Sequence, residues 1–283
     1  MENKYLYGKD IAEILDNETQ AFVEECKKKN KKTPKIANLS VGNDPASASY
    51  EKGLIKKCEK VGVDLEKVQL KEDVSEIELI RVLHQLNQNS QIDGILIQMP
   101  LPNHINLNRV RNEINPDKDL DGIHPINAGR FYQGLPCFVP CTALSAMEFI
   151  HHSNTDLEGK QVVVVGRSNV IGKPVAQMCL NEHASVTIVH SKSHNIEEIC
   201  SRADVLISAV GKARLIKKEW VKKDAVVIDV GVNVDENGKL CGDVDEADVM
   251  DKVKYLTPVP KGVGVVTNSM LMRNLIQAYK NRR

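Results

Sequence analysis

The stretch SASYEKGLIKKC, Ser47 to Cys58, sets one tyrosine among three lysines. A phenol beside an ammonium can hold and pass protons at a reacting centre. On a helix, which advances about 100° per residue, the positions three and four ahead share a face with Tyr50. They are Gly53 and Leu54, and neither carries a proton. Lys52 and Lys56 point to the far side. Lys57 returns to the Tyr50 face roughly 10 Å along the axis. Helical side chains lean toward the N-terminus, so Lys57 is one candidate to reach back. Lys56 is a second, if Gly53 makes the helix irregular.

Two more polar residues stand where apolar patterns stop. Gln98 ends the buried run GILIQMP. A buried amide without a partner costs roughly 1–3 kcal/mol, so it either points into a site or makes an edge contact. Asp121 lies in PDKDLDGIHP, a loop stiffened by Pro116 and Pro125 and turned at Gly122. A carboxylate there can accept two adjacent N–H groups, as it does from arginine. The bland alternative is one of three solvated loop acids. For Tyr50 it is a helix tyrosine covering core. His124 and His190 read as hydrogen-bonding residues rather than general bases.

A third site is made of backbone. QVVVVGRSNVIGKPVAQMCL reads as strand, turn and helix. Gly166 turns the chain off the strand. Gly172 opens the helix, whose free N–H groups suit a pyrophosphate, with Arg167, Ser168 and Ile171 in the same turn. Pro174 needs no donor in a first turn. The next strand, ASVTIVHS, ends in His190, Ser191 and Lys192 instead of the acid that would hold a ribose 2′-hydroxyl. With Arg167, these donors and cations favour NADP over NAD. The strand ends at Val210–Gly211 and at Gly231–Val232–Asn233 leave room at the edge where doubly wound sheets bind ligands. The bland reading is an empty αβ turn.

Positioning these groups requires a regular frame. Helical spacing in DIAEILDNETQAFVEECKKK is followed by the buried strand KIANLSV, a helix ending near Gly62, and the short strand KVQLKE. SEIELIRVLHQLNQN starts on a Ser75 N-cap with Glu78 in the capping-box position. The loop-rich stretch 115–140 marks a domain junction. The helix TALSAMEFIHH and a second alternating series follow, and NSMLMRNLIQAYKNRR closes back on the first domain. Alternation of strands and helices predicts an α/β fold of two domains, each a mainly parallel sheet with flanking helices. The second is Rossmann-like. The expected boundaries are 1–141 plus 267–283 for one domain and 142–266 for the dinucleotide-binding one.

Composition adds exclusions. With 283 residues, 38 basic and 38 acidic, nothing marks a nucleic-acid or membrane partner. KKKNKK reads as a solvated helix end. The N-terminus lacks an apolar signal core, and no apolar run nears the roughly 18 residues of a span. Seven cysteines without a CxxC predict reduced thiols in a cytoplasmic protein, with no metal site.

VGNDPASASY, DGILIQMPLP, PDKDLDGIHP, GRSNVIGKP and TPVPKGVGVVT occur in that order. Together they resemble the bifunctional methylenetetrahydrofolate dehydrogenase/methenyltetrahydrofolate cyclohydrolase (FolD) family over essentially the whole chain. The resemblance implies a homodimer of two-domain subunits binding tetrahydrofolate derivatives between domains. It implies oxidation of 5,10-methylenetetrahydrofolate with NADP, then hydrolysis to 10-formyltetrahydrofolate. The family's active-site tyrosine falls on Tyr50, its glutamine on Gln98 and its pterin-binding aspartate on Asp121; Pro100, Leu101 and Gly262 fall beside the substrate. Its catalytic lysine, four residues after the tyrosine, falls on Leu54. The C-terminal motif, usually PGGVGPMT, here carries Lys261, Val265 and Val266. A dehydrogenase-only folate enzyme, another two-domain NADP dehydrogenase and a non-catalytic binder remain open.

Overall fold

A computed structural model describes residues 3–282, with the backbone alone at Pro45 and Ala46. The chain opens with α1 (Gly8–Lys28), β1 (Lys35–Val41), α2 (Pro45–Val61), β2 (Asp64–Leu70), α3 (Glu76–Gln88) and β3 (Gly94–Ile97). Then come α4 (Leu107–Glu113), α5 (Pro125–Tyr132), α6 (Cys141–His152), β4 (Gln161–Val165), α7 (Gly172–Asn181) and β5 (Ser185–Val189). It finishes with α8 (Ile196–Cys200), β6 (Val205–Ser208), β7 (Val226–Asp229), a β8–β9 hairpin (Asn233–Val234, Leu240–Cys241), α9 (Glu246–Val249), β10 (Tyr255–Leu256) and α10 (Val263–Asn281). Two α/β units result.

The first unit holds Ile14–Cys141 and the chain from Asn268 onward. Its sheet, in the order β2-β1-β3, is parallel throughout. β1 sits in the middle of the sheet, and five of its seven residues are buried, the polar Asn38 among them. Helix α2 starts where the Asp44 side chain accepts the Ser47 N–H at 2.8 Å, and ends at Gly62 in the left-handed conformation, φ +74°. Ser75 caps α3 by accepting from Glu78 N. Leu79, Leu83 and Leu86 of α3 complete a core with Ala37 and Leu39 of β1 and Ile95 and Ile97 of β3.

The second unit holds the chain before Ile14 and Thr142–Thr267. Its five-stranded parallel sheet runs β10-β7-β6-β4-β5. After β5 the chain crosses to the other side of β4 to form β6. The carboxyl end of β4 is therefore a topological switch point, where open α/β sheets take ligands. Its core joins Val163, Leu206, Val227 and Trp220.

Three features depart from the sequence pattern. The residues ahead of Ile14 group with the second unit instead of the first, because Tyr5 bridges Leu256 and Leu6 N donates to Leu256 O. The stretch taken as loop contains α5, started by Pro125 and capped by the His124 ring, whose Nδ1 accepts from Ile126 N at 2.9 Å. Helix α10 begins at Val263, five residues before the expected start, so Val265 and Val266 lie in its first turn. All seven cysteines are free thiols, six of them buried. Among the described residues no helix is long and apolar enough to cross a membrane, and no group of three metal-binding side chains occurs.

Candidate functional site

In the first unit, α2 carries the chemistry. Its inner stripe is Leu54, Cys58 and Val61, all buried; Leu54 is 0% exposed. Tyr50 stands one turn ahead of Leu54. Burial pushes the phenol well above its ordinary pKa, and the nearby Cys141 thiol and Asp121 carboxylate push the same way. Tyr50 is therefore a neutral hydroxyl, able to donate, within electrostatic reach of Asp121. Asp121 reaches the same place from its loop. Its carboxyl is raised to about 6, chiefly by burial and further by the Asp119 charge, against the stabilising N–H of Cys141. That N–H, at the start of α6, donates to Asp121 Oδ1 at 2.9 Å.

The loop that aims Asp121 is fixed by Asp119. Its oxygens accept from Ile123 N (3.1 Å), His124 N (2.8 Å) and Asn127 Nδ2 (2.9 Å). Gly122, at φ +59°, presses against Phe138 and Val139, where a Cβ would meet backbone at 2.6 Å. Lys118 is buried and donates to Leu86 O and Asn89 O, anchoring the loop to the end of α3. Within PDKDLDG, then, Lys118 and Asp119 build the loop and Asp121 is presented by it.

Gln98 is 6% exposed and donates from Nε2 to Asn38 Oδ1 at 2.8 Å. It lines a hollow with Pro100, Ser47 and Glu51. Ser47 Oγ donates to Met99 O at 2.8 Å, tying the first turn of α2 to the chain leaving β3. Leu101 packs instead on the apolar core beside Ile97.

Neither lysine candidate joins Tyr50. Lys57 Nζ donates to both oxygens of Asp16 (2.6 and 2.7 Å) and to Ser269 Oγ (2.8 Å), which uses all three of its protons. Lys60 adds a further bond to Asp16. The Lys57 ammonium therefore serves the carboxylate of α1, away from the inner stripe of its own helix. Lys56 is exposed.

In the second unit the turn after β4 is tight. Gly166 has φ +124°, and a Cβ there would lie 2.4 Å from Ala209 O. A Cβ on Gly172 would lie 2.3 Å from Gly166 O. Both positions require glycine. Ser168 Oγ accepts from Ile171 N (3.1 Å), just ahead of α7, and from Gly172 N (3.3 Å), the first amide of α7, while Arg167 is exposed. At the end of β5, His190 Nδ1 accepts from Lys192 N, and Ser191 is exposed. No acid stands at that strand end.

Sequence reasoning missed what holds the facing loops. Asp243 accepts from Val210 N (2.7 Å), Lys212 N (2.8 Å), Ser208 Oγ (3.0 Å) and Asn233 Nδ2 (3.0 Å). Asp229 accepts from Gly231 N, Asp243 N and Val244 N, and burial above all raises it to about 7. These two buried carboxylates set the loops of Val210, Gly211 and Val232. The signal was present in CGDVDEAD: a glycine beside an acid after an apolar hairpin. Val232 and Gly262 line one hollow of this unit.

A two-unit α/β protein with a glycine-built dinucleotide turn and a desolvated carboxylate–tyrosine site is the class defined so far. The tetrahydrofolate dehydrogenase/cyclohydrolase catalytic-domain model matches residues 6–121, and the NAD(P)-binding-domain model of the same family matches 140–283. The chain belongs to that family. It is 46% identical over 271 residues to the bifunctional protein FolD of Streptococcus thermophilus, covering 96% of this chain and 95% of the relative. The bifunctional FolD enzyme of Campylobacter jejuni superposes with a TM-score of 0.95 at 38% identity, covering 98% of both chains. The FolD of Trypanosoma brucei, solved with NADP cofactor and an inhibitor, gives 0.93 at 33% identity, over 98% of this chain and 97% of that one.

Proposed function

We propose that this chain oxidises 5,10-methylenetetrahydrofolate to the 5,10-methenyl form with NADP, and that it lacks effective hydrolysis of the product. The observation that carries the substrate half is the Asp121 carboxylate, which takes the Cys141 N–H on a loop fixed by Asp119 and acts electrostatically on the Tyr50 hydroxyl. A pterin offers a ring N–H beside an exocyclic NH2, which a carboxylate accepts together. The rigid loop on Asp119 holds Asp121 in place for that pairing. Tyr50 contributes a ring to stack and an O–H to donate. Gln98 and Pro100 would line the substrate's surroundings, with Leu101 supporting them from the core.

NADP, when bound, supplies the hydride acceptor. Gly166, Ser168, Ile171 and Gly172 would hold its pyrophosphate, since the turn is shaped for close backbone approach. Arg167, His190 and Ser191 would meet the 2′-phosphate. Val210, Gly211 and Val232 would flank the rest, held by Asp243.

Oxidation needs little more from the protein than this positioning. The carbon losing hydride lies between two nitrogens that stabilise the cation themselves. Hydrolysis is different, because water must be activated and protons moved. An acid–base group supplies about 10²–10⁴-fold there. Leu54 has no such group, and the Lys57 ammonium is committed to Asp16 and Ser269. The homodimer and cytoplasmic location implied by the resemblance belong to the same reading.

The test is NADP reduction with methylenetetrahydrofolate, followed spectrophotometrically. NADPH and methenyltetrahydrofolate should rise together. No reduction with this substrate would refute the reading.

A further inference from the structure

Four side chains of the first unit form one hydrogen-bonded line. Lys67 Nζ donates to Glu51 Oε2 at 2.7 Å. Asn38 Nδ2 donates to Glu51 Oε1 at 2.9 Å. Gln98 Nε2 donates to Asn38 Oδ1 at 2.8 Å. Asn38 and Lys67 are register partners on β1 and β2, and Glu51 comes down from α2. Asn38 is fully buried in the central strand, at 0% exposure. An amide there carries a desolvation cost that a valine would not.

The order of donors along this line is forced. An ionised glutamate beside a lysine is an acceptor only. Asn38 must therefore turn its NH2 to Glu51, which leaves its oxygen facing Gln98. Gln98 must in turn present its NH2 to Asn38. Its carbonyl Oε1 is then directed away from the line. The acceptor oxygen at position 51, braced by Lys67, thus decides which way round the Gln98 amide sits.

We propose that Asn38 is a positioning residue, which, held by the acceptor oxygen of Glu51, fixes Gln98 with its carbonyl oxygen toward the substrate as an acceptor. This deepens the function proposed above and rests on it. Nothing in the line depends on Tyr50 or Asp121, so it can be broken without touching the pterin-binding carboxylate.

The experiment compares Asn38→Leu, Glu51→Gln, the charge swap Glu51→Lys with Lys67→Glu, and Asn38→Leu in a Gln98→Ala background. Steady-state oxidation of methylenetetrahydrofolate is measured along with melting temperature. Solvent exchange of the Gln98 side-chain amide is followed by NMR. Asn38→Leu should lower kcat/KM for the folate about tenfold or more, as loss of alignment does, with KM for NADP unchanged. The carbonyl introduced by Glu51→Gln still accepts from Asn38, so that variant should stay within about threefold. The swap is the discriminating variant. It restores the ion pair and the melting temperature, yet an ammonium at position 51 is a donor only. Asn38 and Gln98 must then both reverse, and activity should stay low. In the Gln98→Ala background, loss of Asn38 should add nothing.

A charge swap with wild-type kcat/KM would overturn the proposal, because a merely structural ion pair predicts that result. So would a full additional loss in the Gln98→Ala background. The amide exchange is independent of turnover: it should be slow in the wild type and Glu51→Gln and fast in Asn38→Leu. Fast exchange in the wild type sinks the inference even if the enzyme is active. Slow exchange without turnover sinks the folate reading instead.

Discussion

The two candidate sites are built from different materials. The candidate dinucleotide turn is local: ten residues, Gly166 to Val175, make its shape, and it offers backbone N–H groups. The candidate folate site draws on α2, the end of β3 and the loop before α5, and is made of side chains. The first kind of site tolerates no Cβ. The second tolerates change wherever the frame still aims the same few atoms. That is how position 54 can hold a buried leucine while Tyr50 and Asp121 keep their places.

Substitutions should separate the two. Asp121→Ala removes one partner of a desolvated, charge-assisted pairing, at a cost of about 2–5 kcal/mol in folate affinity. That is at least about 30-fold at about 1.4 kcal/mol per decade, with NADP affinity unchanged; titration of each ligand by calorimetry checks it. Leu54→Lys should give the next largest change. It adds methenyl hydrolysis, about tenfold or more by stopped assay, as an acid–base group enters. It also lowers the melting temperature, because an ammonium replaces a fully buried side chain. Gly172→Ala should act on the other site alone. Its Cβ would meet Gly166 O at 2.3 Å. NADP binding should weaken about tenfold while folate binding holds.

A pH series sharpens the same contrast. Asp121 has its pKa raised to about 6. Pairing with a pterin needs the carboxylate, so binding is complete above that value and falls as pH drops through it. KM for the folate should rise below about pH 6 with little change above about 7, while KM for NADP follows a different profile. Asp121→Asn should remove the inflection. The smallest effect is expected at Lys56→Met, an exposed position whose loss should leave both reactions unchanged in steady-state assays.

How much of this was legible in the sequence follows the same division. The glycine turn could be read because its rules are local: Gly166, Gly172 and Pro174 each have a backbone reason. So could β1 and the Ser75 cap of α3. Helix α5 was hidden because its cap is a histidine ring and its first turn follows a proline-rich loop. Asp243 was hidden because three of its four donors lie in 208–212, more than 30 residues earlier, and the fourth, Asn233, lies in the hairpin. For Lys57, helical spacing placed the side chain on the Tyr50 face, roughly 10 Å along the axis. It could not show that Asp16, 41 residues earlier, would capture the ammonium.

The fate of the methenyl product tests the central claim most directly. Purified protein, methylenetetrahydrofolate and NADP are mixed, and NADPH, methenyl and 10-formyl species are followed together. One methenyltetrahydrofolate should accumulate per NADPH, and its disappearance should match the rate in buffer alone. Hydrolysis well above that rate, unchanged in Lys56→Met and Lys57→Met, would contradict the claim that Leu54 removes the second activity.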